Sequence, residues 1–529
     1  MTERAGRTRS FWHWGYEDAL PGEDERRSLG AQVAFLLGVD PLEPGPLPSR
    51  AAVRVRAPRV ADPRLAFATQ DEDARILSAH GRAFPDLLRG FEGDFRHAPD
   101  LVLRPTREEE IDEAFALAER LGLALVPHGG GTSVVGGVEY RGERPWAALR
   151  MDAFDRVLEV DDISLAARIQ AGAPGPVLEA QLAAYGLSMR FYPQSFELST
   201  LGGWIVTRAG GHFATGPTHV DDLVESVRMR TPRGLFETRR LPASGAGPDP
   251  NRLVLGSEGA LGVVTEAWVR VLRRPRFRAS ATVRFRAFER AAAAARVIVQ
   301  AGLAPANCRV LDEKEALIGR VADGQTAILL LGFESADHEP RASMDRALAL
   351  AAAEGGTTDG AIFREEGEKG RSGEADRWRA SFLRGPYLQS ALLTLGLVVD
   401  TFESACSWRA FPELHREVVG SVTAAIEALG GRGIVSCRFT HVYPDGPAPY
   451  YTFVVLAPGE RLETWTRLKR AASDAILRAG GTITHHHAVG RTHRPWYDRE
   501  RSPPFASVLE AAKRALDPAG ILNPGVLVG

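Results

Sequence analysis

Cysteine is nearly absent from this chain of 529 residues, which has only Cys308, Cys406 and Cys437. An odd, scattered set offers no disulfide framework and no metal-ligand spacing, and it fits a reducing cytosol. Lysine is scarce too: four (Lys314, Lys369, Lys469, Lys513) of the 65 basic residues. Against 67 acidic residues the formal net charge is −2, so charge gives no reason to expect nucleic acid as a partner. No apolar run approaches a bilayer span, and the longest, Ala391 to Val399, is about half of one. That excludes a transmembrane segment and leaves peripheral membrane contact and a homodimer open. Met1 to Ser10 carries charge without an apolar segment behind it, so no secretory signal is expected and the expected compartment is the cytoplasm. A repeat of fixed period, extended low complexity and a G-x-G-x-x-G that opens a helix are all missing.

Glycine is where the sequence becomes informative. The apolar run Leu121-Gly-Leu-Ala-Leu-Val126 reads as a short buried strand, and Pro-His-Gly-Gly-Gly-Thr-Ser-Val-Val-Gly-Gly137 follows it. Three bare glycines let consecutive amides close around an anion, and Thr132 and Ser133 add hydroxyls. A pyrophosphate needs such a surface, although a plain glycine-rich turn has the same composition. Two further segments join small residues and hydroxyls to strand-like runs. They are Pro193-Gln-Ser-Phe-Glu-Leu-Ser-Thr-Leu-Gly-Gly-Trp-Ile-Val-Thr-Arg-Ala-Gly210 and Gly256-Ser-Glu-Gly-Ala-Leu-Gly-Val-Val-Thr265.

Along the chain, residues 1–95 read as an N-terminal arm of short helices with Pro-rich stretches. From Leu101 the pattern alternates between strand and helix: an acidic first turn at Glu108–Glu110, a helix ending at Leu121-Gly122, then the strand into the glycine loop. Strands are predicted at Arg156–Val160 and Ala166–Gln170, and a helix at Pro174–Gly186. Residues 276–285 alternate in strand fashion, Ala287–Gly302 reads as a helix, and a strand at 326–333 precedes a helix at 340–355. The charged stretch Arg364–Arg379 reads as a solvated helix or a flexible insert.

In this order, the three glycine-rich segments resemble the flavin-binding domain of the vanillyl-alcohol oxidase and p-cresol methylhydroxylase superfamily. Within it the chain is most similar to alkyldihydroxyacetonephosphate synthases and their FAD-linked oxidase relatives, from Trp12-His-Trp-Gly-Tyr16 to the C-terminus. The resemblance implies an α+β fold: a two-subdomain FAD-binding domain (96–275), an α/β cap with an antiparallel sheet for the substrate (276–480), and a segment returning to the FAD domain (481–529). It implies FAD held by Pro127, His128, Gly129, Gly130, Gly131, Thr132 and Ser133. Further FAD contacts are implied at Gln194, Ser195, Ser199, Thr200, Gly202, Gly203, Thr207, Arg208, Ala209 and Gly210. A last set is Glu258, Gly259, Ala260, Leu261, Gly262, Val263 and Val264. Relatives that attach the flavin through this loop place His after a Gly-Gly pair; Gly131 and Thr132 stand there, so a non-covalent FAD is expected. The implied chemistry occurs at flavin N5, where a fatty acid leaves a ketone phosphate and a fatty alcohol enters, without net redox change. The alternative is oxidation of a 2-hydroxy acid or another secondary alcohol by hydride transfer to flavin, and a non-enzymatic electron-transfer role is the third reading.

Four residues are catalytic candidates. His485, His486 and His487 follow Gly480–Thr484, which reads as the end of a strand, so the rings should alternate sides and cannot share one metal. They suit acid–base work or anion binding, and a solvated surface cluster is the plainer reading. The family carries a triple histidine here, with Gly where this chain has Ala488. Tyr450 and Tyr451 open a strand after a Pro/Gly turn, so one faces the core and the other a cavity. Tyr450 matches the family's catalytic tyrosine, and nearby positive charge is expected to lower its pKa. Arg309, Gln389 and Thr401 are the substrate candidates: Arg309 matches a family arginine, and Gln389 stands where the family has a phosphate-binding one. A family histidine is also replaced, by Phe191. The substrate is expected to be a small or lipid-like molecule.

Overall fold

Three carboxylates in the first turn and a left-handed Gly122 (φ 63°) bound the helix Glu108–Leu121, as the macrodipole and the C-cap favour. The computed structural model describes residues 6–528 other than 214, 217, 320, 323 and 368–373, and for 374–381 the backbone alone. The charged stretch 364–379 therefore lies partly outside the described residues; its last part opens a helix, Glu374–Leu393. The helix Glu108–Leu121 buries Ile111, Ala114, Phe115, Leu117 and Ala118, then turns into the strand Ala124–His128. That strand pairs in parallel with Trp146–Arg150, which pairs in parallel with Leu101–Leu103. Burial on both faces explains the unbroken apolar run Leu123–Val126.

A second, antiparallel sheet runs in the order Val157–Asp161, Ala166–Gln170, Val263–Arg270, Val224–Thr231 and Gly234–Glu237. Its core includes Leu178, Trp204, Met229 and Leu261. The cap is a seven-stranded antiparallel sheet. Its order is Ala361–Glu365, Phe277–Phe285, Ala327–Ser335, Asn307–Leu311, Arg432–Val442, Pro447–Leu456 and Val398–Glu403. Period-two alternation divides its last three strands. Val435, Cys437, Phe439, Tyr451, Phe453, Val455 and Phe402 pack into the main core with the helices Phe288–Gln300, Phe411–Ala428 and Arg461–Arg478. Val399, Thr401, Ile434, Arg438, Thr440, Tyr450, Thr452 and Val454 face the other way, into a cavity. Parity thus places Tyr450 in the cavity wall and Tyr451 in the core.

The arm packs on both bodies. Its helix Glu23–Leu37 sets Leu29, Val33 and Leu37 against Leu397, Val399 and Val454 of the cap. Val53, Ile76 and Phe95 of the arm form a small core with Ala98. The C-terminal segment closes the first sheet, where the Leu125 amide donates to Ile521 O (2.7 Å) and Asn523 N to Leu125 O (2.9 Å). Buried Asn523 also donates from Nδ2 to Gly137 O (3.0 Å) and Glu258 O (2.7 Å), and its Oδ1 accepts from Arg491 (3.1 Å).

Asn523→Ala therefore leaves two buried carbonyls unbonded and a guanidinium short of one acceptor. It should lower the unfolding free energy by about 2–4 kcal/mol, at about 1–3 kcal/mol per orphaned group. Urea melts check this, and a change under 0.5 kcal/mol would remove Asn523 from the forces that join the tail to the glycine loops.

Candidate active site

The glycine loop is held by contacts that exclude any side chain. A Cβ on Gly130 would lie 2.0 Å from Leu198 O and one on Gly129 2.4 Å from Thr200 Oγ1, so the loop is seated directly on the 198–200 segment. Among the described residues, the amides of Gly130, Gly131, Thr132 and Ser133 donate to no protein acceptor. Ser133 Oγ instead accepts from the Gly137 amide (2.9 Å), which fixes the return of the loop. His128 keeps Nε2 buried without a partner, and burial, with Arg150 adding to it, pushes its pKa down to about 3. A row of unsatisfied amides beside an unpartnered imidazole acceptor fits a diphosphate-bearing cofactor with further polar groups.

These groups line a cavity of about 960 Å³, at the upper end of ligand sites. Pro127 to Ser133, Gln194, Ser195, Ser199, Thr200, Gly202, Gly203, Thr207, Ala209, Gly210, Glu258, Gly259 and Gly262 to Val264 all border it. Arg208, Ala260 and Leu261 do not. Arg208 is the left-handed cap of the helix Leu201–Thr207 and pairs with Asp221 (2.8 Å), while Ala260 and Leu261 are packed behind the wall. Of the substrate candidates, Arg309 and Thr401 border the cavity; Arg309 Nη2 donates to His212 O (2.6 Å) and Thr401 Oγ1 accepts from Tyr450. Gln389 also borders it, but its Nε2 donates to Val399 O (2.9 Å). Arg384 pairs with Glu25 of the arm (2.6 Å) at the cavity's outer end. Phe191 is buried against Trp204 with ring centroids 5.1 Å apart.

The histidines do not lie on a strand. Residues 481–489 form a loop, because the segment wraps a carboxylate instead of pairing with a neighbour. Glu403 Oε1 accepts from the amides of His485 (3.2 Å), His486 (2.6 Å) and His487 (2.6 Å) and from Thr484 Oγ1 (3.0 Å). Its Oε2 faces His486 Nδ1 at 2.5 Å. Burial pushes this carboxyl up, yet the facing rings of His486 and His487 hold it well below the usual carboxylate range. At the other end of the loop, Glu258 accepts from the Val489 (2.9 Å) and Gly490 (2.8 Å) amides, and burial raises its pKa to about 7.

His486 and His487 reach the cavity and His485 stands behind them. His485 Nδ1 lies 3.0 Å from His486 Nδ1, and its Nε2 meets Tyr443 OH (2.8 Å) and His219 Nε2 (3.2 Å). His441 Nε2 donates to Gly211 O (2.9 Å). His441, His485 and His486 thus bring ring nitrogens within 4.8 Å of one another, which strand alternation would have forbidden. Each of those rings already bonds to a protein partner.

Tyr450 donates to Thr401 Oγ1 (2.8 Å) beneath the Arg438 guanidinium, 4.1 Å from the ring centroid. Its pKa is not lowered: burial pushes it up to about 12, outweighing the Arg438 cation and the Thr401 hydroxyl. Burial drives the neighbouring His487 to about 3 and His485 well below its ordinary value, so neither of these two adds charge to pull it down. Tyr450 therefore keeps its proton at neutral pH. Sequence reasoning missed Glu403 and Arg438. Both are charged residues inside apolar strand runs, and that anomaly was the available signal. Arg438 is buried and paired with Glu315, which also accepts from Ser436 Oγ (2.8 Å).

A glycine-lined dinucleotide cavity under an antiparallel cap defines an FAD-linked oxidase type of flavoprotein. Residues 99–239 match the "FAD binding domain" family and 274–527 the "FAD linked oxidases, C-terminal domain" family. The chain is 30% identical to alkyldihydroxyacetonephosphate synthase of Caenorhabditis elegans over 488 residues, 86% of this chain and 80% of that protein. It is 29% identical to the same enzyme of Dictyostelium discoideum over 490 residues, 87% of this chain and 78% of that one. A solved structure of alkyldihydroxyacetonephosphate synthase superposes with a TM-score of 0.76 at 26% identity, covering 91% of this chain and 88% of that one. The chain belongs to the alkyldihydroxyacetonephosphate synthase family. It is an enzyme, and its cofactor is FAD.

The buried imidazoles predict an acid-sensitive fold. Burial holds His13, His80, His219 and His493 at about 4 and His128 and His487 at about 3. Because these folded pKa values lie below the ordinary 6.5, stability is fully present above pH 6.5 and is lost as pH falls toward 4. Glu258 and Asp312, both raised by burial to about 7, work in the opposite sense but are fewer. Each uncompensated proton contributes about 1.4 kcal/mol per pH unit. Urea midpoints of the FAD-free protein should fall steeply from pH 6.5 to 4.5, and a level or rising midpoint would contradict this.

Proposed function

We propose that the chain forms an alkyl ether of dihydroxyacetone phosphate, releasing a fatty acid and taking up a fatty alcohol. The observation that carries the reading is the two-ended cavity. Its inner end joins the flavin loops to Arg309, Arg438, Tyr450, His486 and His487. Its outer arm is apolar, lined by Leu29, Val33 and Leu36 of the arm helix, by Leu388 and Leu392, and by Val399, Ile434 and Val454 of the cap. An alkyl chain suits that arm, and exposed Phe35 beside its mouth suits delivery of a lipid-like substrate. A 2-hydroxy acid would need only the inner end.

FAD, bound non-covalently on the loops of 127–133, 194–210 and 258–264, supplies an electrophilic ring at which such a ketone ester can be activated. Tyr450, neutral and aimed at Thr401, is the proton donor. The rings of His486 and His487 accept and pass protons, and their position depends on Glu403. Because the Gln389 amide is spent on Val399 O and Arg438 is paired with Glu315, phosphate recognition falls to Arg309.

Tyr450→Phe keeps the ring under Arg438 and removes only the hydroxyl. Turnover should fall about 10²–10⁴-fold with flavin content unchanged, and Tyr451→Phe should stay near wild type. Leu392→Trp fills the apolar arm, so KM for long-chain ketone esters should rise while short-chain analogues are unaffected. Both are read by product mass spectrometry. Bleaching of the flavin by 2-hydroxy acids, together with indifference to Leu392→Trp, would instead establish the oxidoreductase reading.

A further inference from the structure

Two guanidiniums of the N-terminal arm lie against the glycine loop without a carboxylate to balance them. Arg82 is 6% exposed and borders the cavity. Its Nη1 donates to Gly81 O (2.7 Å) and its Nη2 to Ser10 O (3.3 Å), while Nε is buried without a partner. The Arg82 amide donates to Ser133 O (2.6 Å), so the residue is fastened to the end of the loop whose own amides are unsatisfied. Arg9 donates to Gly130 O (3.3 Å) at the other side of that loop, and its Nε is likewise buried without a partner.

Among the described residues neither arginine forms an ion pair. Glu197, whose charge reaches Arg9, is engaged by Arg7 (3.0 Å) and by the Tyr387 hydroxyl (2.8 Å). Asp86, which faces Arg82, accepts from the Ala83 amide (3.2 Å) and lies 3.6 Å from Arg89, and burial raises it well above the usual carboxylate range. Burial lowers Arg82 to about 9 and Arg9 to about 10, so both remain cationic at neutral pH. A buried cation and a half-buried one, bonded only to carbonyls, are costly in a fold that offers no anion. Here they flank a row of amides arranged for one.

We propose that Arg82, backed by Arg9, provides the positive charge that balances the diphosphate of FAD, so that the N-terminal arm completes a cofactor site the FAD-binding domain leaves uncompensated. The inference rests on FAD as the ligand of the glycine loop. Substrate phosphate has the same chemistry, and the glycine-loop position of both arginines favours the cofactor.

The test is Arg82→Met, compared with wild type as FAD-free and FAD-loaded protein. The dissociation constant for FAD, read by quenching of flavin fluorescence, should rise about 10- to 100-fold, as loss of one charge-assisted contact implies. Thermal melts carry the sharper sign. The FAD-free variant should melt at or above the FAD-free wild type, because an unbalanced charge has gone, whereas the loaded variant should melt below loaded wild type. Equal losses in both forms with FAD affinity unchanged would overturn the proposal and leave Arg82 a structural residue. A raised KM for the phosphorylated ketone with FAD affinity unchanged would overturn it in favour of the substrate. If Arg82→Met fails to fold, Arg82→Lys, which keeps the charge and loses the fork, should weaken FAD by a smaller factor with the same opposed melts. A wild type that does not take up FAD at all would instead reject the cofactor reading beneath the proposal.

Discussion

The Glu403 carboxylate stands at the end of a cap strand, 1% exposed, and accepts hydrogen bonds from three successive amides and a threonine hydroxyl of the histidine loop. Without that anion the loop has no reason to fold as it does, since its backbone pairs with no strand. A neutral side chain could not hold so many donors, and charged acceptors make the stronger bonds. The same carboxylate faces the His486 ring and orients it toward the cavity. Glu258 performs the matching task from the FAD-binding side by accepting the Val489 and Gly490 amides. The loop that bears the histidines is thus clamped between the two bodies, and its geometry depends on how the cap sits over the cofactor domain.

That clamp explains how the work is divided. The glycine loops bring backbone amides and almost no charge, so an anionic cofactor can be approached closely without side chains in the way. The cap brings the titratable groups on one face of three neighbouring strands, and strand parity keeps them apart from the core residues that alternate with them. Burial then sets their protonation: it drives the His487 imidazole to about 3 and keeps the proton on Tyr450, although Arg438 lies over its ring. The apolar arm beyond them is built from residues of both the N-terminal helix and the cap.

Much of this was legible in the sequence. Local rules located the helix Glu108–Leu121 by its acidic start and glycine stop, and the alternation of 276–285 marked a half-buried cap strand. Parity required that one of Tyr450 and Tyr451 enter the core. The histidines were misread as strand residues because an apolar run beside a glycine pair looks the same whether it pairs with a strand or wraps a distant carboxylate. Glu403 is 82 residues from His485, a partnership that no local pattern encodes. For the same reason Arg438 went unremarked, and the direction of the Tyr450 shift was reversed by burial that composition does not reveal. Ala260 and Leu261 share the motif of the cofactor loop yet face away from the cavity, since a turn necessarily presents some of its residues to the core.

The clamp is tested most directly by native-state hydrogen exchange over residues 483–490, in wild type and in Glu403→Gln. In the wild type the His485, His486 and His487 amides should be protected far beyond an ordinary surface loop. The amide variant keeps the shape and one acceptor but loses the charge, so exchange there should speed up at least tenfold for each charge-assisted bond weakened, with peptides of the glycine loop unchanged. Fast exchange of these amides in the wild type, or protection that survives in Glu403→Gln, would contradict the account.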